Sequence, residues 1–412
     1  MTKTAPEPDW LRERRATAEG LFRDLPIPDA ALEVWRHTEL DLDLDRYEPA
    51  AAPGQALRTD VTADVAAAGR LVLVDGFPAS RTLDAGLEGA GVVFADFATG
   101  IAEHADQLRG GLFSAIPPQV DKFTALHVAR TAWGALVYVP RGVAIEAPLV
   151  VEHHVTAATS LALPHTLVIA ETASQVTIID AYVSADIEAL MVPAVELYAR
   201  DGANLRHLAI TDLGADVTSL GYADGVVGRA ASLHSGQIGL GGGLVRHQIV
   251  IELVGEGAEG RIYGLYFGRG DDHIDYRVEL EHKAKHTTSD LFMKGAVDDR
   301  ARAVFWGNVH IFPNAAGSAG YQTIRNLVLG AEASAFPTPN LEIENNDVRC
   351  SHASAVGPPD EDERYYLATR GIAPDVADRL IVGGFFEDAI RRMPVAGPAD
   401  WVRRRVGEKV LA

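Results

Sequence analysis

The sequence predicts a mainly β protein, a β-helix core flanked by helical regions toward the N- and C-termini. Three observations carry that prediction. Short β-type runs follow one another from about residue 112 to 357 with no long amphipathic helix between them. Small-residue corners recur within that stretch, and Ala173, Ala203, Ala231 and Ala258 are spaced 27 to 30 residues apart. Helical spacing of apolar residues marks the two ends of the chain instead. A loose period of this length suggests stacked coils, each burying its face only against its neighbours. A β-sandwich is the alternative, but about 245 residues of strand and corner favour the β-helix.

The chain divides into three regions: 1–111, helical and mixed α/β; 112–357, the β-helix core; 358–412, a C-terminal helical domain. In the first, Asp9 can cap a helix whose apolar side is Leu11, Ala18, Leu21, Phe22 and Leu25. Pro26 and Pro28 break it, and Asp29 can cap a second helix carrying Leu32, Val34 and Trp35. Residues 70–76 and 91–96 read as short strands. The core strands include 135–139, 166–170, 175–179, 194–198, 248–253 and 304–311. Beyond them, Pro358-Pro-Asp-Glu-Asp-Glu starts a helix, with proline in the first turn and acidic side chains facing the positive end of the helix dipole. That helix stops at Gly371. Pro374 and Asp375 open another, with Ala377, Leu380, Ile381, Phe385 and Phe386 as its apolar side, and a last basic helix runs from Trp401 to Leu411.

The 412 residues are 47% apolar and 23% charged, enough for a sizeable core. No apolar run approaches the ~20 residues that span a bilayer, and the N-terminus has no basic-then-apolar leader pattern. A cytoplasmic location is expected. The formal charge of −20 repels phosphate backbones and anionic lipid, so neither nucleic acid nor a membrane surface is an expected partner. The charge serves solubility first; a basic partner face or a role in handling cations stays open. The single cysteine, Cys350, cannot form an internal disulfide, which fits a reducing compartment.

Three motif readings fail on context. Gly255-Glu-Gly-Ala-Glu-Gly260 matches the dinucleotide-binding string, but a strand comes after it where a helix is required, and two glutamates would face the pyrophosphate. It reads as a β-helix corner. No G-x-x-x-x-G-K-[ST] string is present, so the chain is not expected to hydrolyse ATP. His282 and His286 are four apart, yet Lys283 stands where a zincin has its glutamate. His153 and His154 alternate across a strand and cannot share one metal.

Residues 337–352 read Pro-Thr-Pro-Asn-Leu-Glu-Ile-Glu-Asn-Asn-Asp-Val-Arg-Cys-Ser-His, and Val356-Gly, Tyr365-Tyr-Leu and Arg370-Gly-Ile come after them. Upstream, in order, stand Trp35-Arg-His-Thr-Glu-Leu, Asp121-Lys-Phe, Val139-Pro-Arg-Gly, Gly255-Glu-Gly-Ala-Glu, His286-Thr-Thr-Ser, Phe305-Trp-Gly and the stretch 322–329. This set resembles the SufB/SufD family of iron–sulfur cluster assembly proteins over nearly the whole chain. The lone cysteine, in a Cys-Ser-His context, points to the D side of that family. Two departures are Ala353, where glycine is usual, and His127, where asparagine is usual.

The resemblance implies a right-handed parallel β-helix and a non-catalytic scaffold subunit of a SufBCD-type complex. It implies pairing with a SufB-like subunit through the β-helix, and binding of a SufC-like ABC ATPase through the C-terminal helices, with Leu380, Ile381, Phe385 and Phe386 as the docking side chains. The same helix could also cap the end of the solenoid. A transient iron–sulfur cluster would form at the interface with the partner subunit, none being held by this chain alone; a homodimer of the isolated chain stays open. Cys350 and His352 are the candidate cluster and metal ligands. Two apart on an extended segment, they point to one side, and a thiolate with an imidazole suits iron. They supply two ligands where clusters usually take four, so the partner would supply the rest. The plain alternative is a buried structural cysteine beside a hydrogen-bonded histidine. A different class altogether, a β-helix carbohydrate-active lyase or hydrolase, shares the architecture, but such enzymes usually act outside the cell and no export pattern is visible here.

Overall fold

The structure, a computed structural model, describes residues 7–411. Residues 1–6, the start of the stretch read for a leader pattern, lie outside them.

Two largely parallel sheets form a solenoid of about eight turns, with helices toward both termini. The ten-stranded sheet runs in order through Phe77–Leu83, Gly69–Val74, Leu149–Val155, Gln175–Ser184, Asn204–Asp212, Ser232–Gly239, Glu259–Gly268, Thr288–Val297, Ser318–Val328 and Val348–Gly357. The eleven-stranded sheet runs from Ser334–Ile343 through Arg302–Ile311, His273–His282 and Leu244–Leu253 back to Val93–Asp96. Equivalent residues stack from coil to coil: Leu205 stands opposite Val176 on one side and Leu233 on the other, all three buried in the lumen.

The corners explain the recurring small residues. Ala173, Gly202, Ala230, Gly257, His286 and Gly317 occupy the left-handed region, and each donates its N–H to a carbonyl of the next corner. The residue after each turn points inward and is small: Ser174, Ala203, Ala231, Ala258, Thr287 and Ser318 are all buried. Ala173 is therefore out of step with the other three alanines. It sits in the turn itself, and Ser174 is the true counterpart of Ala203.

The outward residues of several strands are apolar as well. Tyr263, Leu265 and Phe267 need cover on the outer face of the ten-stranded sheet, as a strand buried on both faces does. Helix Pro374–Arg392 supplies it, laying Val382, Phe386, Ala389 and Ile390 on them, with helix Ala399–Leu411 beside it. This packing is lateral, along the side of the solenoid and not over its end, because the apolar surface lies on the side.

Local differences from the expectations have local causes. Pro8 precedes helix Asp9–Asp24, which leaves Asp9 in the first turn, bonded to Arg12, and not at the cap. Asp29 accepts from the Ala31 N–H at 2.9 Å, but the chain then makes one short 3₁₀ turn, Glu33–Trp35, in place of a full helix, with Trp35 pinned beneath Arg246. A nine-residue helix, Lys122–Arg130, stands inside the β stretch, held by a reciprocal cap between Asp121 and Thr124.

The two ends of the solenoid differ. At the start, strand Gly69–Val74 is closed by an antiparallel hairpin to Phe77–Leu83, and Val93–Asp96 pairs antiparallel with Trp133–Val139. At the far end, Ser334–Ile343 and Val348–Gly357 each pair on one edge only.

Candidate functional site at the open end of the solenoid

Cys350 and His352 lie on the terminal strand Val348–Gly357, opposite Gly320 and Gln322 of the preceding coil. Gly320 and Gln322 are buried inward residues, so the parallel register aims Cys350 and His352 toward the same lumen side. No further coil covers them among the described residues. Cys350 is half-buried against the lumenal core and His352 is exposed. Burial pushes the Cys350 thiol above its usual range, and a backbone hydrogen bond at Gly320 offsets part of that. Gly320 itself is required by close packing: a Cβ there would come within 2.6 Å of Val309 Cγ1. Exposed apolar side chains, Phe336, Ile343 and Val356, stand on the same two terminal strands.

The four side chains of the C-terminal helix separate by exposure. Phe386 is fully buried, its ring 6.2 Å from that of Phe267, while Leu380 is 51% exposed. Leu380, Ile381 and Phe385 line a groove of about 1120 Å³ between helices Glu361–Thr369 and Pro374–Arg392 and the last strands, with Tyr366 and Leu367 opposite. Leu327 and Ala355 form its floor side on the sheet.

The solenoid also holds buried polar clusters. Asp180 lies between His153 and His207, all three inaccessible to solvent. Glu196, equally buried, accepts backbone N–H groups from Phe113, Ser114, Ala115 and Ile116, the last three at 2.8, 2.7 and 3.2 Å. His165 Nε2 lies 3.2 Å from Glu196, and His127 Nε2 lies 3.0 Å from His165 Nδ1. His127, one of the two departures from the family pattern, thus anchors the helix Lys122–Arg130 to the solenoid.

Among the described residues, one group outside the terminal strand also brings metal-binding atoms together: Glu279, Glu281 and His310. Sequence reasoning passed over it. Its only trace in one dimension is the alternation of Glu279 and Glu281; His310 arrives from the next coil, through a register that the sequence does not display.

A family model described as "SUF system FeS cluster assembly, SufBD core domain" matches residues 153–385. The iron–sulfur cluster assembly protein SufD of Bacillus subtilis is 30% identical over 404 residues, covering 95% of this chain and 92% of that protein. A SufBD family protein of Staphylococcus epidermidis is 24% identical over 96% of this chain and 88% of its own length. A Mycobacterium leprae member is 34% identical over 209 residues, about half of each chain. No helix among the described residues is long and apolar enough to cross a membrane.

Proposed function

The chain belongs to the SufB/SufD family of iron–sulfur cluster assembly proteins, and from that premise we propose that it is the scaffold subunit that completes a nascent cluster with a SufB-like partner. The observation that carries this reading is the pair Cys350 and His352 in an uncovered last coil. Two ligands leave a cluster half-held, and an open sheet edge is where a second β-helix can add its strands and its thiolates. Iron and sulfide are cargo here, assembled and passed on. The chain itself does no chemistry beyond presenting ligands.

Energy enters through a SufC-like ABC ATPase. The groove lined by Leu380, Ile381, Phe385 and Tyr366 supports that docking role, since it offers an apolar furrow between two helices on the side of the solenoid. Phe386 belongs to the packing beneath the groove. A cytoplasmic setting suits a chain whose one thiol must stay reduced.

Anaerobic purification of the tagged chain from its host, with co-purifying proteins identified by mass spectrometry, tests the proposal. Recovery of a cysteine-bearing homologue together with an ABC-type ATPase is expected. Recovery of the chain alone, as a monomer or a homodimer, would overturn it.

A further inference from the structure

We propose that the outer face of the eleven-stranded sheet carries a metal site separate from the terminal strand, in which Glu279, Glu281 and His310 hold one divalent first-row cation of the ferrous type. Glu279 and Glu281 alternate on strand His273–His282 and so share its outer face. The register places His310 opposite Glu281 and Asn308 opposite Glu279. One ligand atom from each of Glu279, Glu281 and His310 lies within 4.8 Å of the others, close enough for a single ion to draw them in. All three are half-buried, partly screened yet within reach of solvent.

Asn308 gives an independent indication. It is only 5% exposed, and its Nδ2 donates to Glu279 Oε1 at 3.1 Å. Its Oδ1 is buried and has no hydrogen-bond partner. A carbonyl oxygen left so, beside a carboxylate, normally costs free energy. A cation shared between Glu279 and that amide oxygen would satisfy it. His310 is oriented as metal-binding histidines usually are, with Nε2 2.9 Å from the Glu344 carboxylate. Glu342 stands 3.8 Å from Nδ1, adding a further oxygen at the margin.

The donor set selects the ion. Carboxylates with one imidazole and no thiolate suit ferrous, manganous or zinc ions better than cuprous ion, and the imidazole disfavours magnesium and calcium. Glu279, Glu281 and Glu342 gather negative charge around His310, and a dication relieves this crowding. Lys283 is the competitor, bonding both Glu281, at 2.6 Å, and Glu252. These residues stand on the eleven-stranded sheet, whereas Cys350 and His352 end the ten-stranded one, so the site does not use the ligands of the scaffold reading.

The test is anaerobic calorimetric titration of the full chain with ferrous ion alone. A Cys350→Ser/His352→Ala background removes the terminal-strand ligands. One ion per chain should bind in that background, and Glu279→Gln or His310→Ala should weaken it at least as much as losing an outer-shell partner does, roughly 10- to 100-fold. Melting curves report whether each variant stays folded. Lys283→Gln, a change at a partly exposed position, should tighten binding by removing the competing ammonium. Unchanged affinity in folded Glu279→Gln, weaker binding in Lys283→Gln, or loss of the ion in the Cys350→Ser/His352→Ala background would each overturn the proposal.

Discussion

His207 Nε2 lies 3.0 Å from Oδ2 of Asp180 in the interior of the solenoid, and His153 Nε2 approaches the other carboxylate oxygen at 3.4 Å. Burial alone would raise Asp180, but the hydrogen bond from His207 and the close approach of the His153 imidazole overcome it and hold the carboxyl well below its usual range. Toward the start of the solenoid, Glu152 is likewise raised by burial, yet hydrogen bonds from His154 and Thr62 and the Arg70 charge bring it down to about 2.

Acid should therefore unfold this protein through its interior. A carboxyl whose pKa is depressed in the fold adds stability above its unfolded value, roughly 3.9 for Asp and 4.3 for Glu. That contribution is lost as pH falls through the folded value. Chemical denaturation at pH 7, 4 and 3 should show stability falling across that window. Asp180→Asn and Glu152→Gln should each lower stability at pH 7 and flatten the decline; an unchanged slope would contradict the assignment.

Glu196 ties the segment 113–116 to the solenoid through four backbone N–H groups. Its removal strips all four donors of their acceptor, those of Phe113 and Ile116 in buried positions, and leaves His165 without its carboxylate. Glu196→Ala should cost about 3–5 kcal/mol, the usual penalty for breaking a buried charged network. Increased hydrogen exchange at residues 113–116 would place the damage, and a loss below about 1 kcal/mol would show that water replaces the carboxylate.

Leu380 and Phe386 share a helix but should fail in opposite ways. Phe386→Ala opens a cavity against Phe267 and should destabilise the chain by about 3–5 kcal/mol. Leu380→Asp alters only the groove wall, and should leave the melting temperature within a few degrees while weakening capture of the proposed SufC-like ATPase. Equal capture by wild type and Leu380→Asp would move the docking surface elsewhere.

Much of the architecture is legible in one dimension because a solenoid repeats its constraints. Each corner of the series from Ala173 to Gly317 takes a left-handed residue and then a small inward one, so the spacing of Ala203, Ala231 and Ala258 survives as a visible period. The C-terminal helix start and its stop at Gly371 are also readable, as cap chemistry is local, although Pro358 and Pro359 lie ahead of the Asp360 cap and not in the first turn, which the acidic residues 361–363 occupy. What the sequence hides is whatever crosses between coils. Glu281 and His310 are opposite each other only through the register, and Phe386 differs from Leu380 only by what lies beneath it. Cys350 and His352 stand out in sequence because of a family motif; their lack of a covering coil is a property of the fold's end.

Iron and acid-labile sulfide per complex test the proposed scaffold role most directly, measured on the chain co-expressed with the proposed SufB-like and SufC-like partners and purified anaerobically. Cys350→Ser and His352→Ala should assemble with both partners as wild type does but lose most of their cluster. Wild-type cluster content in the assembled Cys350→Ser/His352→Ala complex would contradict that role, and would leave these residues with a structural one at the end of the solenoid.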